Sequence, residues 1–184
     1  MAIMAKLHQE HLNLQRLLDI LNSKVEKFRA GTQPNYQLMS DVVGFVGSYA
    51  DTHHHPQEDS LFKCFVGRDA RVDELMQRCE AQHVELHQLS TTLLDLIEGV
   101  LHDAAVLPLE QLVNQLELFV TRQAEHLDFE EKEVFPSLEQ LATEQEWQQL
   151  ESRLAQGDDP LLTLKQSEEY RDLYKALMED SIQV

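Results

Sequence analysis

The chain has 184 residues, 42% hydrophobic and 26% charged, with a formal net charge of −18. That length suits one domain with a sizeable buried core. The acidic surplus, with no basic stripe, excludes recognition through nucleic-acid phosphates. No apolar run reaches the roughly 20 residues that a membrane span needs.

The first residues, Met1 to Lys6, read directly as helix and lack a long apolar signal core. From Ala2 to about Ala30, Leu7, His11, Leu14, Leu17, Leu21, Val25 and Phe28 recur at helical period. Gly31-Thr32-Gln33-Pro34 closes this helix, and Pro34 suits the first turn of the next. The second helix is expected over roughly Asn35 to Phe65, with a bend at Pro56. Gly67-Arg68-Asp69 ends it, and a third helix follows from about Ala70 to His102. The fourth starts near Pro108 and reaches about Leu141, with Pro136 placed to kink or break its end.

Thr143-Glu144-Gln145-Glu146 reads as a capping box that opens a short helix to about Ala155. Gly157-Asp158-Asp159-Pro160 reads as a turn, with Asp159 capping a last helix. Strand and hairpin signals are missing. The expected fold is therefore all-α: an up-down-up-down four-helix bundle over residues 1–142, with residues 143–184 as a helical extension packed outside.

One spacing dominates the chain. His54 and Glu58 form an H-x-x-x-E pair, and so do His126 and Glu130. Residues four apart share one helix face, so each pair aims an imidazole and a carboxylate at one point. His83, His126 and Glu130 each lie 72 residues after His11, His54 and Glu58. A common offset for three residues indicates an internal duplication of a helix pair. His87 follows His83 by one turn, whereas its counterpart in the first half is Gln15.

The candidate set is thus His11, His54, Glu58, His83, His87, His126 and Glu130. Such groups in line with Leu and Phe are costly unless paired, and a metal resolves the cost. Seven donors exceed what one first-row ion holds, and two carboxylates with a bridging hydroxide would leave two divalent ions only a small positive charge. Imidazole with carboxylate suits iron, then manganese or zinc. His83, His87 and His126 would close one ion, while His11 and His54 would leave a position open on the other, with Glu58 and Glu130 bridging. His55 competes with His54, and Glu131 with Glu130, although the offset and the four-residue spacing favour His54 and Glu130. His8, His53, His55 and His102 are expected to face solvent or to back the ligands, and Glu10 to be solvated. Cys64 and Cys79 form no C-x-x-C pair and read as free thiols of a reducing cytoplasm.

The segments Glu10-His11, His54 to Asp59 with Leu61-Phe62, His83 to His87, Glu125-His126 to Glu131, and Val134-Phe135-Pro136 resemble the hemerythrin-like (HHE cation-binding) family. The resemblance spans about residues 6 to 140. It implies a four-helix bundle around a non-haem di-iron centre with a bridging oxo or hydroxo group, ligated by the seven residues named above. It also implies a small diatomic ligand, O₂ or nitric oxide, bound for sensing, storage or delivery rather than for catalysis. Two departures separate the chain from the family's oxygen carriers. Those place an Asp five residues after the last His, where this chain has Glu131 preceded by Glu130. They also carry apolar residues one turn before that His, where this chain has Arg122 and Gln123. The departures keep turnover of peroxide or nitric oxide as the alternative. Ferritin-like chemistry needs two E-x-x-H pairs, and only Glu80 to His83 fits.

Overall fold

The computed structural model describes residues 1–102, 108–154 and 160–182, and every element among them is helical. Helix α1 spans Ala2–Arg29 and α2 spans Tyr36–Tyr49. After a π-helical turn at Ala50–His54, α3 spans His55–Phe62. Helix α4 is Ala70–Leu101 and α5 is Leu109–Phe129. A second π turn, Glu130–Val134, leads into α6, Phe135–Leu141. Helices α7 (Glu144–Leu154) and α8 (Pro160–Ile182) complete the chain.

The helix ends follow from local chemistry. Gly31 takes φ +98° after α1, and the bonds Gly31 N–H to Phe28 O and Thr32 N–H to Lys27 O close the helix. The Asn35 side chain accepts from Leu38 N–H at 3.1 Å and caps α2. Pro34 therefore precedes the cap instead of opening the first turn. Asp69 accepts from Arg71 and Val72 N–H to cap α4. Glu146 Oε2 accepts from Thr143 N–H at 2.8 Å, and Thr143 Oγ1 accepts from Glu146 N–H at 3.4 Å. This is the reciprocal box expected at α7. The turn at Gly157-Asp158-Asp159, with its Asp159 cap, lies outside the described residues.

The two prolines produce π turns rather than simple bends. Proline cannot donate to the carbonyl four residues back, and its ring crowds that carbonyl. Ahead of Pro56, the His55 amide reaches Ala50 O, five residues back. Ahead of Pro136, the Phe135 amide reaches Glu130 O in the same way. Each extra residue rotates the helix that follows. In the first case the rotation leaves His53, His54 and His55 all buried, together with Glu58.

Helix α1 packs along α5, α2 along α4, and α4 along α5, while α8 lies against α1 and α2. The core has two apolar clusters. One joins Leu14, Leu18, Val46, Leu93, Phe119 and Leu127, with Tyr170 and Leu177 of α8. The other joins Met4, Leu7, Phe62, Phe65, Met76, Phe135 and Leu138, with Trp147 and Leu150 of α7. The buried His and Glu side chains belong to neither cluster.

Two glycines on α2 make opposite predictions. A Cβ on Gly44 would meet Leu94 at an ordinary 3.9 Å, whereas one on Gly47 would meet Ser90 Cβ at 2.9 Å. Replacing a helix-interior glycine by alanine gains about 1 kcal/mol, and overpacking costs about 1–3 kcal/mol. Gly44→Ala should raise the urea midpoint and Gly47→Ala should lower it. A Gly47→Ala chain more stable than wild type would refute this account of the α2–α4 contact.

Candidate metal centre

Six side chains converge from different elements. His11 comes from α1, His54 from the first π turn, Glu58 from α3, His83 from α4 and His126 from α5, and Glu130 opens the second π turn. His54, Glu58 and Glu130 are fully buried, and His11, His83 and His126 are 3%, 8% and 1% exposed.

All four imidazoles turn Nε2 inward. Glu58 Oε1 lies 3.5 Å from His11 Nε2 and 3.3 Å from His54 Nε2, while its Oε2 lies 3.5 Å from His83 Nε2. Glu130 Oε2 lies 3.4 Å from His126 Nε2 and 3.3 Å from His11 Nε2, while its Oε1 lies 3.6 Å from His83 Nε2. Glu58 thus presents one oxygen to each half of the duplication, while Glu130 sets Oε2 between His11 and His126 and turns Oε1 to His83. His11 Nε2 and His54 Nε2 are 2.8 Å apart.

The outward nitrogens are held from behind. His54 Nδ1–H donates to Glu10 Oε2 at 2.8 Å, and His11 Nδ1–H to Glu131 Oε1 at 2.7 Å. His126 Nδ1–H donates to Gln82 Oε1 at 3.0 Å, and His83 Nδ1 faces Asp59 Oδ1 at 3.4 Å. A proton on Nδ1 leaves the Nε2 lone pair free for an ion. These partners repeat the duplication, because Gln82 and Glu131 lie 72 residues after Glu10 and Asp59.

The electrostatics describe a site that lacks positive charge. Burial pushes the Glu58 carboxyl up, and the neighbouring Glu130 adds to this. Burial acts on Glu130 too, but His126, His11 and His83 outweigh it and hold its carboxyl well below the usual range. Burial lowers His11, yet the adjoining carboxylates of Glu130, Glu131 and Glu58 overcome that and raise it to about 11. His126 is lowered to about 4, by burial first and then by the charges of neighbouring imidazoles. Glu10 resists burial through His53 and His54 and sits at about 2. Both oxygens of Glu58, Glu130 Oε2 and His126 Nε2 are buried without a hydrogen-bond partner. Such orphaned acceptors are costly, and a cation among them removes the cost. The donor set fits metal ions: His11, His54, Glu58 and Glu130 place ligand atoms within 4.8 Å of one another, and so do Cys79, His83, His126 and Glu130.

The structure brings together His11, His54, Glu58, His83, His126 and Glu130, but not His87. The His87 side chain is 62% exposed, and its Nδ1 lies 2.5 Å from Asp51 Oδ2. One helical turn carries a side chain about 5.4 Å along the axis, which takes His87 past the level of the cluster to the surface. Glu131 backs His11 and also binds His8, while Glu130 points inward. Glu10, expected in solvent, is 8% exposed. Arg122 pairs with Glu125 and Glu85 at the surface, so only Gln123 of that turn is buried. His102 stays exposed, as expected.

Sequence reasoning missed Gln82 and Cys79 as neighbours and left His55 open between solvent and a backing place. Gln82 was findable as the offset partner of Glu10. His55 is buried and stacks on His83 with ring centroids 3.9 Å apart and 9° between planes. Burial first, then the charges of His83 and His54, lower it to about 2. Cys79 is buried, with Sγ 2.8 Å from Glu130 Oε1 and 3.5 Å from His83 Nε2. Burial and the nearby carboxylates push its thiol up, so the S–H donates to Glu130. Neither position has a like counterpart 72 residues away, so the duplication gave no signal for them.

Aromatic side chains wall the cluster. Phe135 stacks on His11 at 5.2 Å, and Tyr49 lies 6.3 Å from His54. A cavity of about 280 Å³ outside Glu10, Tyr49 and His53 is also lined by Ser167 and Tyr170 of α8. No helix among the described residues is long and apolar enough to cross a membrane.

Among known proteins, no curated protein and no solved structure matches the chain. The profile of the hemerythrin HHE cation binding domain matches residues 2–138. That span covers the six converging side chains and all four of their backing partners, and the chain belongs to the hemerythrin HHE cation-binding family.

Proposed function

We propose that the protein holds two metal ions, iron first, and binds a small diatomic molecule, O₂ or nitric oxide, for sensing, storage or delivery. The observation that carries this reading is the sharing of both carboxylates between the halves of the duplication: Glu58 lies among the Nε2 atoms of His11, His54 and His83, and Glu130 among those of His11, His83 and His126. His11 and His54 would hold one ion and His83 and His126 the other, with Glu58 and Glu130 between them. His87 has no place in this set because Asp51 holds it at the surface.

Iron held by imidazole and carboxylate supplies reversible binding of small molecules. The chain's own residues do the rest. Glu10, Glu131, Gln82 and Asp59 orient the rings, and Phe135, Tyr49 and His55 keep bulk water away from them. Two imidazoles and the shared carboxylates would hold each ion, and a small ligand would complete its coordination. Without His87, neither ion would have the third imidazole expected to close it.

The reading includes an up-down-up-down four-helix bundle over residues 1–142, with 143–184 packed on it. Packing of α1 on α5 and of α2 on α4 supports it. The free thiols Cys64 and Cys79 fit a reducing cytoplasm.

A second reading is an enzyme that consumes peroxide or nitric oxide. Gln123 favours it: this amide is 3% exposed, one turn before His126, and its Nε2 has no hydrogen-bond partner. Iron-loaded protein should give an absorption band with O₂ that reverses on deoxygenation. Sustained consumption of peroxide or nitric oxide would select the second reading instead.

Ion content separates the ligand sets. His87→Ala should keep two ions per chain by mass spectrometry, and His126→Ala should lose at least one. Loss of an ion from the His87→Ala chain would overturn the assignment.

Proton release gives a further test. His11, raised to about 11, carries a proton at neutral pH until an ion displaces it. Ion binding should therefore release protons and weaken as pH falls. Calorimetric titration in buffers of different ionisation enthalpy measures this, and affinity independent of pH would contradict it.

A further inference from the structure

The two halves of the site differ where the duplication fails. Cys79 stands where the first half has Leu7, and His55 stands where the second half has Leu127. Both differences fall on the side of His83 and His126. Either residue could add a donor there, because each lies in a group whose ligand atoms are within 4.8 Å of one another.

Geometry separates the two. The His55 ring lies flat on His83, with 9° between their planes. Imidazole lone pairs lie in the ring plane, and lines in near-parallel planes do not meet close by. His55 therefore cannot aim at the ion that His83 faces. Cys79 has no such restriction. Its Sγ lies 3.5 Å from His83 Nε2. Donors at about 2.1 Å and 2.3 Å from one ion sit about that far apart near the tetrahedral angle. His126 Nε2 and Glu130 Oε2, buried and without hydrogen-bond partners, belong to the same residue group.

We propose that Cys79 is a protein ligand of the ion held by His83 and His126. The proposal rests on the two-ion reading above. On binding, the S–H bond breaks, a sulfur–metal bond forms, the proton passes to bulk water and no electron is transferred. The centre is then chemically unequal, with nitrogen and oxygen donors on one ion and an added sulfur on the other. The thiolate also offsets positive charge left when two carboxylates face two divalent ions. Soft sulfur favours iron(II), cobalt(II) or zinc there over manganese or magnesium.

The test uses the full chain loaded with cobalt(II) or iron(II), as wild type, Cys79→Ser and Cys64→Ser. Wild type and Cys64→Ser should show a thiolate-to-metal charge-transfer band and, by X-ray absorption, a sulfur scatterer at about 2.3 Å. Cys79→Ser should lose both and bind its weaker ion at least about tenfold less tightly. Two ions per wild-type chain with no sulfur signal would overturn the proposal and leave the two-ion reading standing. A wild-type chain that takes up no ion would sink both. Should Cys79→Ser fail to fold, the signal in wild type and Cys64→Ser decides.

Discussion

Two carboxylates lie fully buried between two apolar clusters, and the fold has to accommodate them. Burying one unpaired charge costs several kcal/mol even after relaxation. A whole domain is stable by only about 5–15 kcal/mol. Neither oxygen of Glu58 has a hydrogen-bond partner. Without a cation, the cluster relies on protons shared among imidazoles and carboxylates, as the opposite shifts of Glu58 and Glu130 express. With a cation, the same groups become its ligands. Ion binding and folding are therefore one free-energy problem in this chain.

The duplication is the economical way to build such a centre. Each half supplies a His on its first helix and an H-x-x-x-E on its second. The backing residues then connect in two ways. Glu10 and Gln82, each just before the first His, reach the second His of their own half. Glu131 and Asp59, each just after a central Glu, reach toward the first His of the opposite half. The second pattern ties the halves together, because α1 and the turn after α5 share a bond, as do α3 and α4 a close approach. Packing of α1 on α5 follows the same pairing.

Much of this was legible in the sequence for a physical reason. Apolar period and end signals fix a long helix, so the limits of α1 and α4 agree with expectation to within a residue. A shared offset fixes equivalent positions, and six converging side chains carry it. His87 shows where the logic stops. Helical spacing gives the face of a residue, but not the level at which the partner helices end their contact. Asp51, lying in a π turn, takes that ring at the surface. The π turns themselves depend on how proline strain is absorbed, and sequence period cannot state that. Glu10 looked like an ordinary surface acid because its value comes from His54, far away in the chain.

The backing groups also rank the two halves of the site. Carboxylates stand behind His11 and His54 at 2.7 Å and 2.8 Å. Behind His126 stands a neutral amide at 3.0 Å, and behind His83 a carboxylate no closer than 3.4 Å. A charged acceptor on Nδ1–H makes the opposite nitrogen the stronger donor. The protein alone therefore makes His11 and His54 the better imidazole donors. His83 and His126 are the weaker pair, and they are also the pair with a thiol beside them. A sulfur donor there would repair the deficit that Gln82 introduces. The loss of symmetry at Cys79 and the loss of charge at Gln82 then become two parts of one adjustment.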